Sequence, residues 1–278
     1  MQKTKKGGRR IMKLCKKLVL CLLAVAVVLL CFVAFPQNAY ATSFSDLTFT
    51  LNSTEDGYVV SNCKGTASGE LVIPDTYKGL PVTAIGDRAF YYQNGITSLV
   101  IPDSITTIGK DAFAGCIKLT SITIGSGVKF MAENVFSANS ILENVYIHDV
   151  KAWCEIEFAN ARSAPLYFAD NLYLDGELVT VLEIPEGTTK IGDMAFMSYD
   201  HLTSVAIPDS VTSIGESAFH YCKGLTSIVI PDSVTCVGEW AFGECDGLIE
   251  ATIGNGVTRI EYATFASCDN LNKLVIGN

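Results

Sequence analysis

Residues 210–232 read SVTSIGESAFHYCKGLTSIVIPD, and residues 233–255 read SVTCVGEWAFGECDGLIEATIGN, the same pattern shifted by one module. A catalytic domain needs one active site, whereas a chain that repeats a module gains length and surface. The repeat therefore has to be settled before any element is assigned. Phe90, Phe113 and Phe136 recur every 23 residues, and so do Phe196, Phe219, Phe242 and Phe265. A period in the twenties is one coil of a solenoid.

Each coil carries a leucine-spaced core: Leu119, Ile122, Ile124; Leu202, Val205, Ile207; Leu225, Ile228, Ile230; Leu271, Leu274, Ile276. The last two members of each set alternate with an outward residue, as a half-buried strand requires. Successive strands must then stack in parallel. Pro102, Pro185, Pro208 and Pro231 follow the last strand residue, where a missing N–H ends the ladder and a fixed φ starts a turn. A segment such as SIGESAF (213–219) is long enough for one or two helical turns. In it Asp87, Glu133, Asp193, Glu216 and Glu239 form an acidic column suited to the positive end of a short helix, with the Phe pointing inward.

LTSVAIPDSVTSIGESAF (202–219) and its copies resemble the BspA-like class of leucine-rich repeats, microbial surface and secreted proteins, and the likeness runs over residues 71–278. The irregular AWCEIEFANARSAPLYFADNLYLDGELVTVLEIPEG (152–187) is similar to inserts in such arrays. The resemblance implies a β-rich leucine-rich repeat solenoid, with a parallel strand face and short helical or 3-10 turns opposite it. It also implies attachment or protein binding at a bacterial surface, to a protein, a glycoprotein or host matrix. Ser104, Ser210 and Ser233 stand where an ordinary leucine-rich repeat has an asparagine ladder, so rules about that ladder do not transfer.

The N-terminus places the array outside the cell. Eight basic residues and no acid precede an apolar run from Leu18 to Phe35, and Ala39 and Ala41 flank Tyr40. This is the pattern of a signal peptide over 1–41 with the mature chain starting at Thr42, secreted or held at the surface and with no membrane insertion after cleavage. The chain's formal charge of −9 then becomes −17, from twelve basic against twenty-nine acidic residues. Such a balance excludes nucleic acid, which needs a basic face, and favours a basic partner. Seven cysteines remain, at 63, 116, 154, 222, 236, 245 and 268. An odd count argues against a complete disulfide framework and for free thiols.

Two stretches break the period. LTFTLNSTEDGYVVSNCKG reads as two strands around Asp56-Gly57, an N-terminal β cap over 42–70. Between Phe136 and Phe196 lie 60 residues, no multiple of 23, so one coil is enlarged at about 141–181, with Asp175-Gly176 marking a hairpin. The sequence stops at LNKLVIGN, one strand into a coil, which fits an exposed edge strand or a fragment of a longer array.

Candidate chemistry is sparse. His148, Asp149 and Cys154 outline a cysteine hydrolase, but Trp153 and Cys154 read more plainly as core, and no enzyme is expected. His148, His201 and His220 lack zinc-type spacing, so no metal and no cofactor is expected. Asp75, Asp103, Asp149, Glu186, Asp209 and Asp232 form a rim column, interrupted by Ser126 and Asn255. It reads as turn chemistry rather than a calcium site. The remaining surface is the strand face. One outward residue per coil (Val72, Val100, Thr123, Tyr146, Glu183, Ala206, Val229, Thr252 and Val275) should form a single ribbon of about 40 Å, at about 4.8 Å per step. Val100, Thr123, Tyr146, Glu183, Ala206, Val229 and Thr252 are the candidate partner-binding residues, Tyr146 foremost because aromatics dominate binding hot spots. A passive scaffold or stalk is the alternative.

Overall fold

A computed structural model describes residues 44–65 and 67–277. The signal-peptide reading lies outside these residues. No helix among them is long and apolar enough to cross a membrane.

The chain winds as a β-solenoid whose face, among the described residues, carries ten parallel strands in two sets of five. The first set is Gly69–Val72, Ile96–Ile101, Ser121–Ile124, Asn144–Ile147 and Asn171–Leu174; the second is Val181–Glu183, Ser204–Ala206, Ser227–Ile230, Glu250–Ile253 and Lys273–Ile276. Register follows the sequence period, with Ser98 opposite Ser121, Ser227 opposite Glu250, and Glu250 opposite Lys273. A second ladder of short strands lies behind the face. It joins Leu80–Ile85, Thr107–Ile108, Phe130–Met131 and Glu157–Phe158, and separately Lys190–Ile191, Ser213–Ile214 and Cys236–Val237. The SIG and TIG segments thus pair as strands before the chain turns.

The phenylalanines fill the interior as anticipated. Phe90 and Phe113 stack at 4.9 Å, Phe219 and Phe242 at 5.3 Å, and Phe242 and Phe265 at 5.4 Å, all nearly parallel. Ring spacing just above the strand spacing lets each ring cover the next, so the rings form two columns, Phe90 to Phe136 and Phe196 to Phe265, along the solenoid.

The turn segment is not helical. Ser217 and Tyr221 adopt φ of 54° and 64°, and the equivalent residues Arg88 and Tyr92, or Trp240 and Glu244, do the same. The result is an alternation of hydrogen bonds. Ala218, His220 and Cys222 donate three residues back within the coil, to Gly215, Ser217 and Phe219. Ser217, Phe219 and Tyr221 donate instead to Glu239, Ala241 and Gly243 of the next coil. A left-handed residue costs an L-amino acid about 1–2 kcal/mol, which the inter-coil bonds offset. Tight 3-10-type bonds are present, but no helix propagates from them. The acidic column therefore caps no helix: Asp87 and Asp193 accept the backbone N–H of Lys110 and Glu216 in the following coil, both at 2.8 Å.

Other columns also bind coil to coil. Thr226 Oγ1 donates to the Thr203 carbonyl, and Thr203 Oγ1 to that of Thr180. Cys116, Cys222, Cys245 and Cys268 donate their thiols to the carbonyls of Phe90, Phe196, Phe219 and Phe242 at 3.0–3.2 Å, and Asn139 does the same to Phe113. This column is thus a donor position that completes the buried Phe carbonyl. All seven cysteines among the described residues are free thiols. On the rim, Asp103 and Asp232 accept N–H groups from Ser126 and Asn255, the residues that interrupt the acidic column.

The irregular parts have their own logic. Strands Leu47–Leu51 and Tyr58–Cys63 form an antiparallel hairpin, and the second pairs in parallel with Leu80–Ile85. Their connection is a loop from Asn52 to Gly57, reversed at Glu55 (φ 59°) and held by Asn52 Nδ2 on Asp56 Oδ1 at 2.8 Å. At Asp175-Gly176 the signal holds: φ values of 50° and 87° make the tight turn that links Asn171–Leu174 to Glu177–Leu178. In the enlarged coil a short helix, Val150–Cys154, starts at the Asp149 cap, and Trp153 Nε1 donates 2.8 Å to the Ala195 carbonyl.

Candidate partner-binding face

The face is built from alternation. Val145, Ile147 and Leu172 point into the column, which leaves their neighbours outside. Val72 lies beside Val100, Val100 beside Thr123, and Thr123 beside Tyr146, all in one cross-strand file. Glu183, Ala206, Val229, Thr252 and Val275 make a second file, in which Val229 is 61% exposed.

The two files do not form one ribbon. The expected continuous face from Tyr146 to Glu183 is interrupted, because strand Asn171–Leu174 pairs next with Glu177–Leu178 of its own hairpin and not with Val181–Glu183. The back ladder breaks at the same level, between Glu157–Phe158 and Lys190–Ile191. A groove of about 370 Å³ opens there, lined by Phe130, Phe158, Lys190, Asp193 and Ser213, with Lys190 Nζ 3.6 Å from Glu157 Oε1.

The first file ends on Tyr173, a residue the single-ribbon reading leaves out. Its ring stacks on Tyr146 at 4.8 Å and 15°. On one side of this pair Asn171 Nδ2 donates 3.1 Å to Asn144 Oδ1, and on the other His148 Nδ1 meets Asp175 Oδ1 at 2.9 Å. Amide pair, ring pair and imidazole–carboxylate pair thus stand in one outward row. Burial and the Tyr173 phenol push the Tyr146 hydroxyl above its ordinary pKa, so it stays a neutral donor. The sequence carried the signal: NVYIHD (144–149) recurs as NLYLDG (171–176) at an offset of 27 rather than 23, which hides it from a search at fixed period.

The cysteine-hydrolase constellation is not assembled. His148 pairs with Asp175, Asp149 caps the helix, and Cys154 is buried with its thiol pushed up to about 12 by desolvation. A protonated, enclosed thiol is no nucleophile.

A parallel strand face, a stacked phenylalanine column and 23-residue coils together define a repeat architecture with known relatives. The family model described as BspA type leucine rich repeat region matches residues 83–165 and 166–278, in six copies. The chain belongs to the BspA type leucine-rich repeat family. No curated protein matches it significantly. Similar solved structures include a leucine rich repeat protein of T. pallidum, 21% identical over 85% of this chain and 86% of that one, TM-score 0.38. A leucine rich cell surface protein of Faecalibacterium prausnitzii is 20% identical over 87% and 96%, TM-score 0.35. The pneumococcal vaccine antigen PcpA is 16% identical over 82% and 71%, TM-score 0.44. Membership in this family is consistent with a protein-binding or scaffold role.

Proposed function

We propose that this BspA type chain is an exported, non-catalytic binding module that captures a protein or glycoprotein through the first file of its strand face, Val100, Thr123 and Tyr146, extended by Tyr173. The stacked, half-exposed tyrosine pair carries the reading. Aromatic groups that present an apolar body and a polar tip are enriched at interface hot spots, whereas the second file (Glu183, Ala206, Val229 and Thr252) offers small or singly charged side chains with little area to bury. An extended repeat surface suits a macromolecule better than a small ligand. Replacing Tyr146 and Tyr173 together by Glu should abolish capture of cell-surface or matrix protein while coil stability is kept. Undiminished capture by that variant would defeat the reading. Export is tested separately: N-terminal sequencing of secreted material should begin at Thr42, and an intact Met1 would contradict cleavage.

A further inference from the structure

The turn side of the solenoid, opposite the strand face, is built mostly from small and polar residues. Two neighbouring coils depart from that rule together. Two residues before the core Phe stand Arg88, Asp111, Asn134, Met194, Ser217 and Ala263, but Trp240 in one coil. Two residues after it stand Gly115, Ala138, Ser198 and Ser267, with Tyr92 in the first coil, but Tyr221 and Glu244 around Trp240. Repeat architecture does not require these side chains, so they call for another explanation.

Their rings form a row that begins beside one carboxylate. The His220 ring stacks on Tyr221 at 4.1 Å and lies 5.2 Å from Trp240, whose indole meets Tyr262 edge-on at 6.0 Å. Tyr262 is 70% exposed, and Trp240 and Tyr221 are half-exposed. Glu244 Oε1 lies 3.9 Å from His220 Nε2, and the same carboxylate pushes the Tyr221 phenol above its ordinary range. Gly243 is a fitting residue beneath the rings: a Cβ there would lie 2.6 Å from Trp240 Cε3 and 3.3 Å from His220 Cδ2.

We propose that Glu244, with the ring row Tyr221, His220, Trp240 and Tyr262 that begins beside it, is a binding site for the guanidinium group of an arginine presented by a basic partner protein. Among the described residues His220 is the only ion-pair partner of Glu244, and burial pushes that imidazole down, so it is neutral at pH 7 and leaves the carboxylate charge uncompensated. Neither His220 nitrogen has a hydrogen-bond partner. A negative charge beside aromatic faces attracts a cation, and a planar guanidinium satisfies both at once, stacking on a ring while its N–H groups reach the carboxylate. The chain already places cations over tyrosine faces on this side: Arg88 Cζ sits 5.4 Å from the Tyr91 ring centroid, and Lys223 Nζ sits 5.9 Å from that of Tyr221. The net charge of −9 draws a basic partner as well.

The site is independent of the strand face and is tested separately. Trp240 is one of two tryptophans and the other, Trp153, is buried, so emission changes report on the site. The protein is titrated with a blocked Ala-Arg-Ala tripeptide and with its isosteric citrulline counterpart, which lacks the charge. The expected result is a saturable emission change with the arginine peptide only, weakened about tenfold by Glu244→Gln, weakened also by Tyr262→Ala, and unaltered by Tyr146→Glu. Equal responses to both peptides, or a response to a neutral oligosaccharide alone, would overturn the proposal. So would wild-type affinity in Glu244→Gln, or the absence of any saturable change.

Discussion

The two files of the strand face differ in the length of their steps and in what they present outward. In the second file every step is 23 residues, Ser204 to Ser227 to Glu250 to Lys273, and the outward residues are Ala206, Val229 and Thr252. In the first file the step from Asn144 to Asn171 is 27 residues, and there the tyrosine pair, the amide pair and the His148–Asp175 pair appear. A coil that keeps the period is constrained on every side by its neighbours and shows mainly good strand formers. The coil enlarged between Asn144 and Asn171 carries the side-chain pairs, whereas the first step, 28 residues from Val72 to Val100, presents strand formers. Trp153, reaching across to Ala195, shows how the enlarged coil is kept attached to the regular ones.

Either half can be broken by substitution, and the largest effect is on stability in the regular one. Phe219→Ala should cost about 3–5 kcal/mol in denaturant unfolding. The loss should spread first into the adjacent coils, because Phe219 stacks between Phe196 and Phe242. Uniform weakening of the whole chain would mean a single cooperative core instead. Trp153→Phe keeps an aromatic ring but leaves the Ala195 carbonyl without its indole donor, at a cost of about 1–3 kcal/mol. Faster hydrogen exchange should then be confined to the seam near 150–197.

Smaller effects come from the thiol column. Desolvation raises Cys116 from 9.0 to about 12, and Cys222 and Cys245 also rise. A group whose folded pKa is raised stabilises the fold below its unfolded pKa and loses that contribution as pH climbs toward the folded value. Stability should therefore fall between about pH 9 and 12, and Cys222→Ala should reduce that slope by close to one proton. The variant also loses a buried hydrogen bond, so the slope rather than the midpoint is the readout. At the far end, Val229→Thr should shift stability by no more than about 0.5 kcal/mol, as an outward substitution on a regular coil.

The regular coils were legible because their physics is periodic: Phe196, Phe219, Phe242 and Phe265 fall on one file, so each coil repeats the register of the one before it. What the period could not convey was backbone conformation. Ser217 and Tyr221 are ordinary residues in a left-handed conformation, stabilised by bonds to residues 22 positions away, and no local propensity signals that. The donor role of Cys222 was hidden for the same reason, since its acceptor, the Phe196 carbonyl, lies 26 residues back. At the candidate site Tyr146 could be read from strand alternation, whereas Tyr173 required recognising a copy displaced by four extra residues. The break between the two files follows from the hairpin at Asp175-Gly176, whose turn was legible although its effect on the neighbouring ladder was not.

Mirrored substitutions on the two files test most directly whether the irregular file is the binding surface. Tyr146→Glu with Tyr173→Glu alters the irregular file, and Val229→Glu with Thr252→Glu alters the regular one, each by the same added charge. Capture of cell-surface or matrix protein is measured for both variants beside the wild type, with far-ultraviolet circular dichroism confirming the fold. Capture is expected to be lost in the first variant and retained in the second. Retention in the first with loss in the second would contradict a binding role for the tyrosine pair.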